Sequence, residues 1–343
     1  MKRRSTSALP RPRAALLGLI FGVIAAPALA APRVATDVAP VQSLVTQVMA
    51  GVAEPSMVIQ RGASPHSYSL RPSEAATLEN ADIVFWVGDE LTPWLTGALD
   101  NLAGNADSVA LLHTDGTLRH GFRDRVLAEA GHDGHEGHEG HEGHEGHEGH
   151  EGHEGHDDHE GHDDHEGHAH EGVDPHAWLD PVNAQHWLGV IADTLARHDP
   201  ANAERYQANA DAARDRIDGL IRQVRGELEG VHDEAFIVFH DAYQYYERRF
   251  DLNTVGAISL SDARDPGPAH IAEIRDIVAE RDVQCVFAEP QFNPAMVDTV
   301  LSGTGARTGV LDPLGSEIPA DGDYYTTLIN QLSERLVTCL SAG

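Results

Sequence analysis

Four side chains in this 343-residue chain have the types and settings that suit a divalent cation: His66, His176, His240 and Asp312. His66 falls in Gly62-Ala63-Ser64-Pro65-His66-Ser67-Tyr68, and His176 in Val173-Asp174-Pro175-His176-Ala177-Trp178-Leu179-Asp180-Pro181. His240 opens His240-Asp241-Ala242-Tyr243, and Asp312 opens Asp312-Pro313-Leu314-Gly315. Three imidazole nitrogens and one carboxylate oxygen make a four-coordinate set suited to Zn²⁺. A single histidine after a strand is more often a surface or satisfied core residue, so the reading depends on convergence. His113, His120, His186, His198, His232 and His270 lie on helix faces or in loops without metal-like context.

The elements that must position these residues alternate. From Arg33 the first half reads as strands at Arg33–Asp37, Met57–Gln60, Ile83–Val87 and Val109–Leu112, separated by helices at Pro40–Gly51, Pro72–Asn80 and Glu90–Leu102. The second half reads as strands at Phe236–Phe239, Thr254–Leu260, Cys285–Ala288 and Thr308–Leu311, with helices at Ala242–Phe250, Pro268–Arg281, Pro294–Gly303 and Tyr324–Leu340. Strands alternating with helices imply parallel, helix-covered sheets. Between the halves, Tyr206, Ala210, Ala213, Ile217, Leu220, Ile221, Val224 and Leu228 are spaced by three and four, the stripe of one long amphipathic helix. The expected fold is therefore α/β, with two similar four-stranded lobes joined by a long rigid helix. The expected division is an N-terminal lobe over 31–180, connecting helices over 181–230 and a C-terminal lobe over 231–343. In such sheets ligands gather beyond the carboxyl ends of the strands, where His66, His240 and Asp312 fall.

Residues 131–172 break the alternation with a near-perfect Gly-His-Glu repeat carrying Asp-Asp variants. Its histidines are His132, His135, His138, His141, His144, His147, His150, His153, His156, His159, His162, His165, His168 and His170. A segment without apolar residues larger than alanine cannot bury a core and is expected to be disordered. It lacks the proline of a collagen repeat. Histidines three apart in a carboxylate-rich tether can gather weak zinc sites and raise the local metal concentration; the plainer reading is a solvated, metal-sticky spacer.

The first thirty residues carry Lys2, Arg3, Arg4, Arg11 and Arg13, an apolar run over Ala14–Ala26, and Ala28-Leu29-Ala30. That is the pattern of a cleaved secretory signal, with export to the periplasm expected by the general or the twin-arginine route. Removing those five positive charges takes the net charge from −31 to −36, which disfavours nucleic acid and anionic membranes as partners. Two cysteines far apart, Cys285 and Cys339, are expected to be bridged in an oxidising compartment. There is no His-Glu-x-x-His helix and no nucleophile–base pairing, so a zinc hydrolase finds no support.

The motifs around His66, His176, His240 and Asp312, together with Arg71-Pro72-Ser73-Glu74 and Gly88-Asp89-Glu90-Leu91-Thr92-Pro93-Trp94, resemble the metal-binding lipoprotein/adhesin family, the solute-binding proteins of ABC importers for zinc and manganese. The resemblance spans nearly the whole chain outside the repeat. It implies one metal held between two lobes by His66, His176 and His240, with Asp312 as fourth ligand, and no catalysis. Manganese members tend to place glutamate where His240 stands, so histidine there points to the zinc branch. Some zinc members carry glutamate before the first histidine, where this chain has Pro65; water or a repeat side chain is then the alternative to Asp312. Glu289 and Asp241 are expected to orient imidazoles. The resemblance also supports the Cys285–Cys339 disulfide and implies a permease with its ATPase as partners; Trp94, Trp178 and Trp187 are expected to fill the cores and the lobe interface, and the chain is expected to be a monomer. A periplasmic zinc chaperone is a further expected partner. The alternatives are a manganese or iron subunit of the same importer class, or an extracellular metal buffer or adhesin.

Overall fold

The apolar runs assemble into two four-stranded sheets in which every pairing is parallel. The computed structural model describes residues 30–123, 172–259, 267–293, 295–319 and 323–341. The expected export signal and the histidine repeat lie outside the described residues. In the first lobe β1 (Val34–Thr36), β2 (Ser56–Met57), β3 (Ile83–Trp86) and β4 (Asp107–Ala110) lie in the order β2-β1-β3-β4. In the second, β5 (Phe236–His240), β6 (Thr254–Ser259), β7 (Cys285–Ala288) and β8 (Arg307–Val310) repeat it as β6-β5-β7-β8. The central strands β3, β5 and β7 are buried along their whole length, as sheets covered on both faces require.

Helices α1 (Ala39–Val48), α2 (Pro72–Glu79) and α3 (Pro93–Leu102) belong to the first lobe. Next come α4 (Pro181–His198) and α5 (Ala203–Leu228), then α6 (Gln244–Phe250), α7 (Pro268–Glu280), α8 (Ala295–Leu301) and α9 (Tyr324–Leu340) in the second. α5 has 26 residues and so runs for about 39 Å. Its buried positions, Tyr206, Ala210, Ala213, Ile217, Leu220, Val224 and Leu228, are the expected stripe except for half-buried Ile221. One apolar cluster continues from Val34 and Phe85 through Trp178, Trp187 and Tyr206 to Phe236 and Phe287, so the two lobes share a core. The outer sheet faces pack separately, around Val84 and Leu95 in one lobe and Ile274 and Val286 in the other.

Several element bounds differ from expectation, and β4 and α3 do so for clear physical reasons. β4 lies two residues earlier than the apolar run suggests, because Leu111 and Leu112 turn into the core in a 3-10 turn instead of extending the strand. α3 begins at Pro93, not Glu90: proline with its fixed φ takes the first helical position, and Asp89-Glu90 form a turn before it. Cys285 on β7 and Cys339 on α9 are joined in a disulfide, which pins the last helix to the second sheet.

Candidate metal centre

His240 is the last residue of β5, His66 lies in the loop between β2 and α2, and His176 immediately precedes the 3-10 turn Ala177–Leu179 that leads into α4. The three share one place despite lying 64 and 110 residues apart in sequence. His176 Nε2 is 3.4 Å from His66 Nε2 and 3.4 Å from His240 Nε2. Two nitrogens bound to one tetrahedral zinc at about 2.0–2.1 Å stand roughly 3.3–3.4 Å apart, so these separations match two edges of such a polyhedron. His176 and His240 are buried, at 5% and 4% exposure.

Two buried carboxylates set the rings. His176 Nδ1 lies 2.7 Å from Asp174 Oδ1, which also accepts the His176 backbone N–H at 2.9 Å. His240 Nδ1 lies 2.7 Å from Glu289 Oε1, which accepts the His240 backbone N–H at 3.2 Å. A carboxylate only accepts, so in the neutral ring each Nδ1 carries the proton and each Nε2 keeps its lone pair. Two lone pairs facing each other across 3.4 Å repel unless a cation lies between them. Glu289 is expected in this role from the sequence, whereas Asp174 is not; its signal is an Asx residue two positions before histidine, a spacing that bends its carboxylate back onto the following backbone.

The loops are held from beneath. Trp94 Nε1 donates to Pro65 O at 2.7 Å, which fixes the backbone beside His66. Asp37, fully buried after β1, accepts the N–H groups of Val38 at 2.7 Å and Val87 at 2.8 Å, tying the ends of β1 and β3. Burial raises its pKa to about 7 against the lowering effect of those amides. Across the lobes, Trp178 Nε1 donates to Pro313 O at 2.9 Å and Tyr325 Oη to Trp178 O at 2.7 Å. Arg61 reaches Ile318 O at 2.6 Å and lies over the Tyr324 ring. Trp178 and Trp187 are fully buried.

Asp312 stands outside the three-histidine set. Its Oδ1 accepts from Gln291 Nε2 at 2.9 Å and Leu314 N at 3.0 Å, and its Oδ2 from Ser316 N and Oγ, both at 2.6 Å. Four donors hold that carboxylate in the turn after β8. Asp241 does not orient a ring as expected; it pairs with Arg123 instead. His113 has more polar company than its sequence context suggests, with Nε2 at 3.2 Å from Asp89 Oδ1 and 3.0 Å from Glu90 Oε2. His113 and Asp89 are exposed, and with Glu90 they form a second, solvent-facing cluster whose ligand atoms lie close enough together to hold a metal ion.

Compared with known families, residues 34–339 match the family described as zinc-uptake complex component A, periplasmic. The chain belongs to this zinc-uptake family. Among its curated relatives, a high-affinity zinc uptake system protein ZnuA from Brucella suis biovar 1 (strain 1330) is 47% identical over 309 residues, 90% of this chain and 91% of that protein. The protein of the same name from Paracoccus denitrificans (strain Pd 1222) is 46% identical over 334 residues, 97% and 99% of the two chains. Solved structures similar to the zinc-uptake fold seen here include a ZnuA 138-173 deletion mutant with zinc bound, at TM-score 0.69 and 20% identity, covering 91% of this chain and 99% of that one. The laminin-binding adhesin of Streptococcus agalactiae, as a mutant, superposes at TM-score 0.69 and 23% identity, covering 90% and 99%. At those identities the likeness concerns the fold.

Proposed function

We propose that this member of the zinc-uptake family is the periplasmic binding component of an ABC importer, taking up Zn²⁺ through His66, His176 and His240 and delivering it to the membrane permease and its ATPase. The observation that carries the reading is the pair of 3.4 Å Nε2 separations around His176. Three imidazoles without a carboxylate favour zinc over manganese, which prefers harder oxygen ligands. Zinc also exchanges without redox chemistry, which suits carriage and not catalysis. With Asp312 engaged by four donors, we assign the fourth position to an exogenous ligand such as water.

Residues 1–30 act in this proposal as a cleaved export signal, and the mature chain works as a monomer that takes zinc directly or from a periplasmic chaperone. The repeat histidines, His132 to His170, serve as an auxiliary capture segment whose tethering raises zinc concentration near the cleft. The test is a competition titration of the mature protein with Zn²⁺ and Mn²⁺, repeated without residues 132–171 and with His176→Ala. The tight zinc site survives removal of the repeat and is lost with His176→Ala. Coordination needs neutral imidazoles, so protons compete with zinc and affinity falls as the solution is acidified. Loss of tight binding on removing the repeat alone favours the metal-buffer reading instead.

A further inference from the structure

We infer that Arg123 is a positioning residue for the metal centre, fastening the paired segments that lead into His176 to the residues that follow His240. This inference rests on the proposed metal reading. His120–Arg123 and Gly172–Asp174 are paired, through an antiparallel bridge between Gly121 and Val173, with Phe122 N donating to Gly172 O at 3.3 Å and Asp174 N to His120 O at 2.9 Å. The second segment runs directly on to His176.

From this pair Arg123 reaches across to the other lobe. Its Nε donates to Asp241 Oδ2 at 3.1 Å, its Nη2 to Asp241 Oδ1, and its Nη1 to Glu247 Oε2 at 2.7 Å. Asp241 is bonded in sequence to His240, and Glu247 lies on α6. Both carboxylates are nearly buried and the guanidinium mostly so. α6 grips both segments besides: Gln244 Nε2 donates to Gly121 O at 3.1 Å and to Asp174 Oδ2 at 3.4 Å. Tyr245 Oη accepts from His120 N at 3.0 Å and donates to Asp174 O at 2.8 Å.

His176 and His240 come from different lobes, so their 3.4 Å separation depends on how firmly these contacts hold. Asp174, which orients His176, sits inside the same network. A planar, forked guanidinium suits two carboxylates in a way an ammonium does not, and losing a group that holds a metal ligand in place from behind typically costs about 10–100-fold in metal affinity. Loosening Arg123 therefore lets the two rings separate, which speeds zinc release.

The experiment loads the full chain with one equivalent of Zn²⁺ and follows transfer to a chromophoric chelator, taking the release phase that His176→Ala abolishes. Arg123→Gln is expected to speed that phase by about 10-fold or more, Arg123→Lys to recover part of the loss, and Asp241→Asn, which leaves Glu247 on Nη1, to act in the same direction by a smaller factor without adding to Arg123→Gln in the double variant. Amide exchange in the metal-free protein is read in parallel, and residues 240–247 should exchange faster in Arg123→Gln and in Asp241→Asn. A release rate for Arg123→Gln within about twofold of the parent, well under the effect expected when a positioning group is lost, overturns the assignment even if the melting temperature falls. Should Arg123→Gln not fold, Asp241→Asn carries the same test. If no release phase depends on His176, the metal reading has failed. The exchange data then decide separately whether Arg123 holds α6 to the paired segments, and unchanged exchange at 240–247 rejects it.

Discussion

His176 and His240 face each other through their Nε2 atoms at 3.4 Å, while the Nδ1 of each lies 2.7 Å from its own buried carboxylate, Asp174 for one and Glu289 for the other. Each ring is locked in the tautomer that aims a lone pair at its counterpart. The amides in Asp174→Asn and Glu289→Gln can donate as well as accept, and so relax that choice. Either substitution should weaken zinc binding by about 10–100-fold, the usual range for groups that orient a metal-bound imidazole. Competition titration reads this directly, and unchanged affinity in both variants would mean that the carboxylates serve packing alone.

Asp312 gives a contrasting expectation. Its carboxylate accepts four hydrogen bonds within its own loop and from Gln291, so Asp312→Asn should lower the melting temperature. Zinc affinity should fall by less than about tenfold, below the range seen when an orienting group is lost. A loss of affinity as large as that of His66→Ala would make Asp312 a ligand.

Asp37 should leave a mark on stability against pH. Burial raises its pKa from 3.8 to about 7, so between those values the folded chain keeps a proton that the unfolded chain has released. The contribution of this residue is complete below the unfolded value and is lost as pH rises through about 7. Asp37→Asn removes the titration and leaves a pH-independent cost for one mismatched amide contact. In metal-free thermal melts, the melting temperature of the variant relative to the parent should therefore rise from about pH 4.5 to about pH 7.5. A difference that stays constant with pH would refute the buried-carboxylate account.

Much of this was legible from the chain because it depends on local pattern. The three-and-four spacing from Tyr206 to Leu228 marked α5, and the apolar runs at Ile83 and Phe236 marked the central strands, since strands buried on both faces need little else. The histidines were legible through the motifs around them. What sequence did not disclose was contact made at a distance. Arg123 meets Asp241 across 118 positions, which takes away the ring-orienting role that Asp241's place beside His240 suggests. Asp174 was overlooked because Asp-Pro-His reads as a turn before it reads as a carboxylate folded back on an imidazole. Leu111 and Leu112 show the limit of hydrophobicity as a strand signal: both are buried, but in a turn.

The central claim is that one zinc ion is shared by His66, His176 and His240, and the most direct measurement is a crystal structure of the mature protein loaded with a single equivalent of Zn²⁺, with the metal located by anomalous scattering. The account predicts one dominant peak at about 2.0–2.1 Å from all three Nε2 atoms. A dominant peak elsewhere, with the three rings still facing one another and no metal between them, would contradict it.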